Sequence, residues 1–118
     1  MSYADKEATH RRDGGEEVDC RVGEVVALVG GKWKLLILHR LLYEGTFRFN
    51  QLQRRLDGIS QRMLTNQLRE LERDGLAKRK VYPEVPPKVE YSATEKAVNL
   101  KVVFEAMHTW GVVNLPRM

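Results

Sequence analysis

Gln61, Arg62, Thr65, Asn66 and Arg69 crowd into nine consecutive positions. Arginine, glutamine and asparagine are the side chains that can bond two atoms of a base edge at once in a DNA major groove. At 3.6 residues per turn, these positions share one side of a helix. Leu64, Leu68 and Leu71, at i, i+4 and i+7, take the other side and form a stripe to bury. A polar reading face backed by a buried stripe is what a base-reading helix requires.

The flanking residues supply the framework. Ser60 is an N-cap candidate, with Ile59 before it and Leu64 after it placed as a hydrophobic staple. Gly75 follows Arg73-Asp74, where a helix C-terminus favours a left-handed residue. Upstream, Phe49, Leu52 and Leu56 form a shorter apolar stripe, and Gln51, Arg54 and Arg55 an outer polar face. Asp57-Gly58 ends that segment and gives the turn a permissive backbone position. Two amphipathic helices joined by a tight glycine turn predict a helix-turn-helix. Two ordinary surface helices with solvated charges would share the charge pattern, but not the turn, cap and base-reading residues together.

Two alternating runs, Leu76–Tyr82 and Lys88–Ser92, surround a loop containing Pro83, Pro86 and Pro87. They predict a β-hairpin, the wing, with Lys80 facing Glu90, Val81 facing Val89 and Arg79 facing Tyr91. Lys78, Lys80 and Lys88 on it, with Arg54, Ser60 and Arg69, are candidate phosphate contacts. For each lysine, blunting of an exposed strand edge stays open. Residues 46–80 carry nine basic and four acidic side chains, whereas residues 1–20 carry three and six. The positive charge therefore gathers on the candidate reading element, although the whole chain is only +4.

The rest of the chain positions this unit. Its 118 residues fit one domain. Residues 1–17, with little apolar content and a Gly14-Gly15 pair, predict a flexible arm ahead of a domain over 18–118. Val22, Val25, Val26 and Val29 predict a short helix ended by Gly30-Gly31. Trp33 to Tyr43 is apolar over most of its girth, so it should be deeply buried, with His39 as a satisfied core residue. Thr46-Phe47-Arg48 leaves room for a small extra strand. Thr94 is an N-cap candidate for a last helix, Glu95 to about Val113. Leu100, Val103, Phe104, Met107 and Trp110 form one apolar stripe on it, expected to face its own domain. Val98, Val102, Ala106 and Val113 form a second, expected to face a second copy. The fold class is mainly α with one small hairpin, dimerising through terminal helices.

His10, His39 and His108 are scattered, and Cys20 is the only cysteine. No zinc-ligand spacing, phosphate loop or nucleophile elbow occurs. An enzyme is not expected, nor a metal or cofactor. The longest apolar runs fall short of the about 20 residues that span a membrane, and the polar, acidic start resembles no leader. The expected location is the cytoplasm. A reading face without aromatics favours duplex DNA over RNA. The alternative is a winged-helix protein-interaction module without base readout.

Several motifs in order make the chain similar to a known family. They are Gly30-Gly31-Lys32-Trp33, Phe49-Asn50-Gln51-Leu52, the run Gly58 to Thr65, Leu68 to Glu72 with Asp74-Gly75-Leu76, and the run Val81 to Tyr91. From Cys20 to about Gly111 the sequence resembles the HxlR-type winged-helix transcriptional regulators of bacteria and archaea, within the MarR-like superfamily. The resemblance implies a homodimer on a roughly palindromic operator, with the segment after Ser60 as recognition helix. It also implies a candidate role for Cys20, because many relatives carry a cysteine there, and in several it senses oxidants or electrophiles. Arg21 stands where a proline is frequent. Arg21 and the following helix N-terminus favour thiolate, whereas Glu16, Glu17 and Asp19 oppose it. Sensing and simple packing both stay open for Cys20.

Overall fold

The computed structural model describes residues 9–11 and 17–117. It divides into two units, one ending at Lys32 and the other starting at Trp33. In the first, β1 (Thr9–Arg11) and β2 (Glu17–Asp19) pair antiparallel, with Thr9 opposite Asp19. The flexible arm expected over 1–17 mostly lies outside the described residues. Its described part forms a short ribbon for which the sequence gives no signal. Helix α1 (Val22–Val29) follows, and Gly30 closes it through an N–H bond to the Val26 carbonyl. Of its four valines only Val29 is buried; Val22, Val25 and Val26 are exposed.

The second unit carries the winged helix. In chain order it holds α2 (Lys32–Tyr43, whose first residue closes the first unit), α3 (Phe49–Arg55), α4 (Gln61–Arg73), β3 (Ala77–Tyr82), β4 (Lys88–Ala93), α5 (Glu95–Val98) and α6 (Lys101–Asn114). The architecture is α+β. β3 and β4 form an antiparallel hairpin in the expected register, Lys80 opposite Glu90 and Val81 opposite Val89. Phe47 bridges to Tyr91 by two backbone bonds of 3.0 and 2.8 Å, so the short segment before α3 extends the sheet by one bridge.

Within this unit the core comes from every helix but the last. Ile37, Leu38 and Leu52 are buried, with Leu64, Leu68, Leu71 and Leu76. Two expectations for α2 change. Leu36 is exposed, and Lys34 is buried in its place, its ammonium 2.6 Å from the Glu70 carboxylate. His39 is no core residue: it is exposed, its ring 4.9 Å from Tyr43 and 5.6 Å from Phe104.

The last helix departs most from expectation. It is broken into α5 and α6, because the chain tightens at Asn99-Leu100, where the Leu100 N–H reaches back three residues to Ala97. No α6 residue is buried. Val103, Met107 and Trp110, expected to face their own domain, are exposed, and only Leu100 and Phe104 of that stripe are half-buried. The core is already filled without them, and α6 meets α2 through Phe104 against His39 and Tyr43. Among the described residues no helix is long and apolar enough to cross a membrane.

Leu68 is 1% exposed at the centre of this core. Leu68→Ala should cost about 2–5 kcal/mol of unfolding free energy in urea titration. A cost below 1 kcal/mol would place the leucine stripe outside the core.

Candidate nucleic-acid interface

Helix α4 is fixed at both ends by its own sequence. The Ser60 Oγ accepts from the Met63 N–H at 3.0 Å. Ile59 and Leu64 on either side of that cap are both buried, as a staple requires. Gly58 holds the preceding turn at φ +86, and the Gln53 side chain donates to the Ile59 carbonyl at 3.3 Å. At the far end Gly75 adopts φ +76. The Gly75 N–H bonds to Glu72 and the Leu76 N–H to Leu71, at 3.0 and 2.8 Å. This is a Schellman closure with its apolar contact, since Leu71 and Leu76 are both buried.

With the leucine stripe inward, Arg62, Asn66 and Arg69 at i, i+4 and i+7 form the outward stripe, and all three are exposed. Gln61 is exposed on one flank. Thr65, beside it, is half-buried, and its hydroxyl donates to the Gln61 carbonyl at 2.8 Å. That bond uses its only donor and leaves it a methyl and acceptor lone pairs to present.

Charge is sorted around this face. Three of the four acidic residues between 46 and 80 are taken by bases: Glu70 by Lys34, Glu72 by Arg79 at 3.6 Å, and Asp74 by Arg73 at 3.1 Å. The Lys34 ammonium holds the Glu70 carboxyl below its ordinary range, and Arg73 does the same for Asp74. Among the described residues Arg54, Arg62 and Arg69 have no carboxylate within ion-pair distance. Paired acids cannot repel an approaching phosphate as free ones would, while these three arginines remain available.

The strand register puts Lys78, Lys80 and Lys88 on one face of the hairpin, and they are not equivalent. Lys78 is exposed. Lys80 is exposed too, with its ammonium 4.8 Å from the Tyr82 ring centroid. Lys88 is half-buried, lies 4.7 Å from the same centroid and is 3.5 Å from the Glu90 carboxylate. The Tyr82 hydroxyl donates to that carboxylate at 2.8 Å, and with Lys88 it keeps the Glu90 carboxyl below its ordinary range. Lys88 is therefore the weakest candidate of the three for a phosphate.

Sequence reasoning missed Arg48. It lines a groove with Asn50, Arg54 and Lys88 where the start of α3 meets the wing. A basic residue just before a helix was visible, but its approach to the wing depends on the Phe47–Tyr91 bridge. Gln51, read as outer polar face, instead caps α3 by accepting from the Arg48 N–H at 2.9 Å.

Cys20 is half-buried and carries no disulfide. Arg21 beside it contacts Glu24 through two bonds of 2.5 and 2.9 Å, so its guanidinium is shared with a carboxylate. The dimer candidates Val98, Val102, Ala106 and Val113 are all exposed. Among the described residues no group of three His, Cys, Asp or Glu could hold a metal ion.

Residues 28–118 match the model of a family described as HxlR-like helix-turn-helix. The chain is 48% identical over 96 residues to an uncharacterized HTH-type transcriptional regulator of Halalkalibacterium halodurans, covering 81% of this chain and 85% of that one. Among solved structures it is similar to the redox regulator HypR in its oxidized form, with 45% identity and a TM-score of 0.74, covering 83% of this chain and 100% of that one. It is also similar to the reduced form of the transcriptional regulator YodB from Bacillus subtilis, with 37% identity and a TM-score of 0.73, covering 83% and 96%.

Ser60→Ala removes the cap acceptor of α4 and should lower stability by about 1 kcal/mol, measured by thermal or denaturant unfolding. Ser60→Asp should retain most of the lost stability, because aspartate also caps. Equal loss in both variants would mean that the cap bond contributes nothing.

Proposed function

The chain belongs to the HxlR-like helix-turn-helix family of transcriptional regulators, and from that premise we propose that it reads a specific duplex DNA sequence as a homodimer. The observation that carries this reading is the outward stripe of α4. Arg62, Asn66 and Arg69 are exposed on a helix capped at both ends, and among the described residues no carboxylate pairs with the two arginines. Gln61, Arg62, Thr65 and Asn66 occupy the first two turns, the part of a recognition helix that meets base edges. Thr65 contributes its methyl or an acceptor lone pair, since its proton is committed to the Gln61 carbonyl.

Phosphates fall to the surrounding cations. Arg54 and Arg69 are exposed, as are Lys78 and Lys80 on the wing. Ser60 keeps its hydroxyl proton to donate while its oxygen serves the cap. Lys88 contributes least, because Glu90 already shares its charge. The place of action is the cytoplasm, where the DNA is.

The apolar surface of the terminal helices supports homodimerisation. Val102, Val112 and Val113 are more than 65% exposed on α6, with Val98 beside them on α5. Burying such surface contributes about 25 cal/mol per Å², and a second copy supplies the matching face. Two copies related by a two-fold axis would place two α4 helices on half-sites of a roughly palindromic operator.

A redox or electrophile signal through Cys20 is the second part of the proposal. Its support is the similarity to a redox regulator, and a half-buried thiol one residue ahead of the α1 cap. Modification there would tilt one reading helix against its mate, and a fixed half-site spacing converts a small tilt into lost affinity.

The test begins by selecting bound fragments from sheared genomic DNA. On the selected operator, Arg62→Ala or Asn66→Ala should cost about 1–3 kcal/mol and relax one base position. Lys78→Ala or Lys80→Ala should weaken all sequences alike and reduce the salt slope by about one. Lys88→Ala should change it less. If both α4 variants bind like wild type, the reading face is misassigned.

Sedimentation equilibrium at micromolar concentration should give a dimer; a stable monomer refutes that part. Diamide should change operator affinity of wild type and not of Cys20→Ser. Equal responses would make Cys20 a packing residue.

A further inference from the structure

Lys34 is the one charged residue in the buried core among the described residues, and it is spent on the reading helix. Its ammonium lies 2.6 Å from the carboxylate of Glu70, in the last turn of α4. Glu70 projects from one flank of that helix, about 100° per residue placing it opposite the flank of Gln61, Thr65 and Glu72. Glu72, on that other flank, pairs with Arg79 of β3 at 3.6 Å. Between the two flanks lies the outward stripe of Arg62, Asn66 and Arg69.

Helix α4 is therefore held by one ion pair on each side of its leucine stripe. A roll about its long axis stretches one pair as it compresses the other. The leucines alone resist such a roll weakly, because apolar contact is non-directional. The ion pairs are directional. They differ in strength: Glu72 to Arg79 is long, and Arg79 is half-exposed, whereas Lys34 is only 11% exposed along its side chain. The Lys34–Glu70 pair is the stiffer tie.

We propose that Lys34 and Glu70 are a positioning pair for base readout: they set the roll of α4, and so decide which side chains meet base edges. Neither residue reads DNA itself. Lys34 is buried, and the Glu70 carboxylate, engaged with Lys34, has no proton to donate to a phosphate. Resting on the DNA-reading assignment above, the pair makes operator specificity depend on a bond remote from the bases. Bidentate recognition tolerates small displacements poorly, so a loosened roll lowers specific affinity while phosphate contacts, which follow charge, persist.

The informative variant is Lys34→Met. Methionine matches the lysine stem in length, and the Glu70 carboxylate that loses its partner is 39% exposed along its side chain, so water can solvate it. Glu70→Gln is the second variant, and Lys34→Arg restores the charge. Each is compared with wild type for affinity to the selected operator and to unrelated duplex DNA, with active fraction fixed by stoichiometric titration. Backbone amide shifts of Arg62, Asn66 and Arg69 are recorded without DNA.

The expected result is a loss on the order of tenfold in the operator-to-unrelated affinity ratio for Lys34→Met and Glu70→Gln. Affinity for unrelated DNA and the salt slope should stay at wild-type values, Lys34→Arg should recover most of the ratio, and the three amides should shift. The proposal is overturned if the ratio is unchanged, or if both affinities fall together with the folded fraction. If wild type prefers no fragment, the DNA-reading assignment fails separately, and unmoved amide shifts would then also overturn the positioning role.

Discussion

Burial of the α4 leucine stripe is the constraint on which the rest depends. Leu64, Leu68 and Leu71 are each no more than 1% exposed, so the helix cannot turn its back outward without exposing three large side chains. At about 1.5–3 kcal/mol for each buried side chain, that cost is comparable to the whole stability of a small domain. The outward direction of Arg62, Asn66 and Arg69 is thus a by-product of hydrophobic burial. Polar contacts refine what burial has fixed. Ser60 and Gly75 set where the helix starts and stops, and Lys34 and Arg79 brace its flanks.

Electrostatics then divides the cations into two populations. Lys34, Arg40, Arg55, Arg73 and Arg79 are engaged with carboxylates, and they tie elements together or neutralise acids. Arg54, Arg62, Arg69 and Lys78 are not so engaged among the described residues, and they lie on α3, α4 and the wing. A basic patch counted from sequence does not separate these groups. The division matters because only charges without an internal partner release counterions from DNA on binding.

Much of this was legible in the residues. The Ser60 cap, the Gly58 and Gly75 conformations and the wing register all follow from local chemistry, where one or two side chains decide the backbone. The fold class followed from their order. What sequence could not give depends on which apolar residues find partners. Lys34 is buried and Leu36 exposed because a carboxylate partner, Glu70, waits on α4, distant in sequence but adjacent in space. His39 sits in an apolar helix yet faces out, because periodicity marks a helix face without saying how far the core extends. Val103, Met107 and Trp110 were misassigned for the same reason: the stripe is real, but the core is complete without it.

Thr94 has a wider consequence. Its hydroxyl donates to the Gly75 carbonyl at 2.6 Å and accepts from the Ala97 N–H at 3.2 Å. One oxygen thereby ends the turn after α4 and begins α5. The Lys96 ammonium adds a second link, 2.8 Å from the Asp74 carbonyl, and the Thr94 N–H a third, to Leu76. The joint between α4 and the terminal helices is thus a stiff hinge pin. Displacing α5 must either break these bonds or drag the end of α4 along. Threonine suits the pin because a single atom both gives and receives a hydrogen bond. Serine would preserve the linkage, whereas valine, of nearly the same shape, would sever both sides of it in one step.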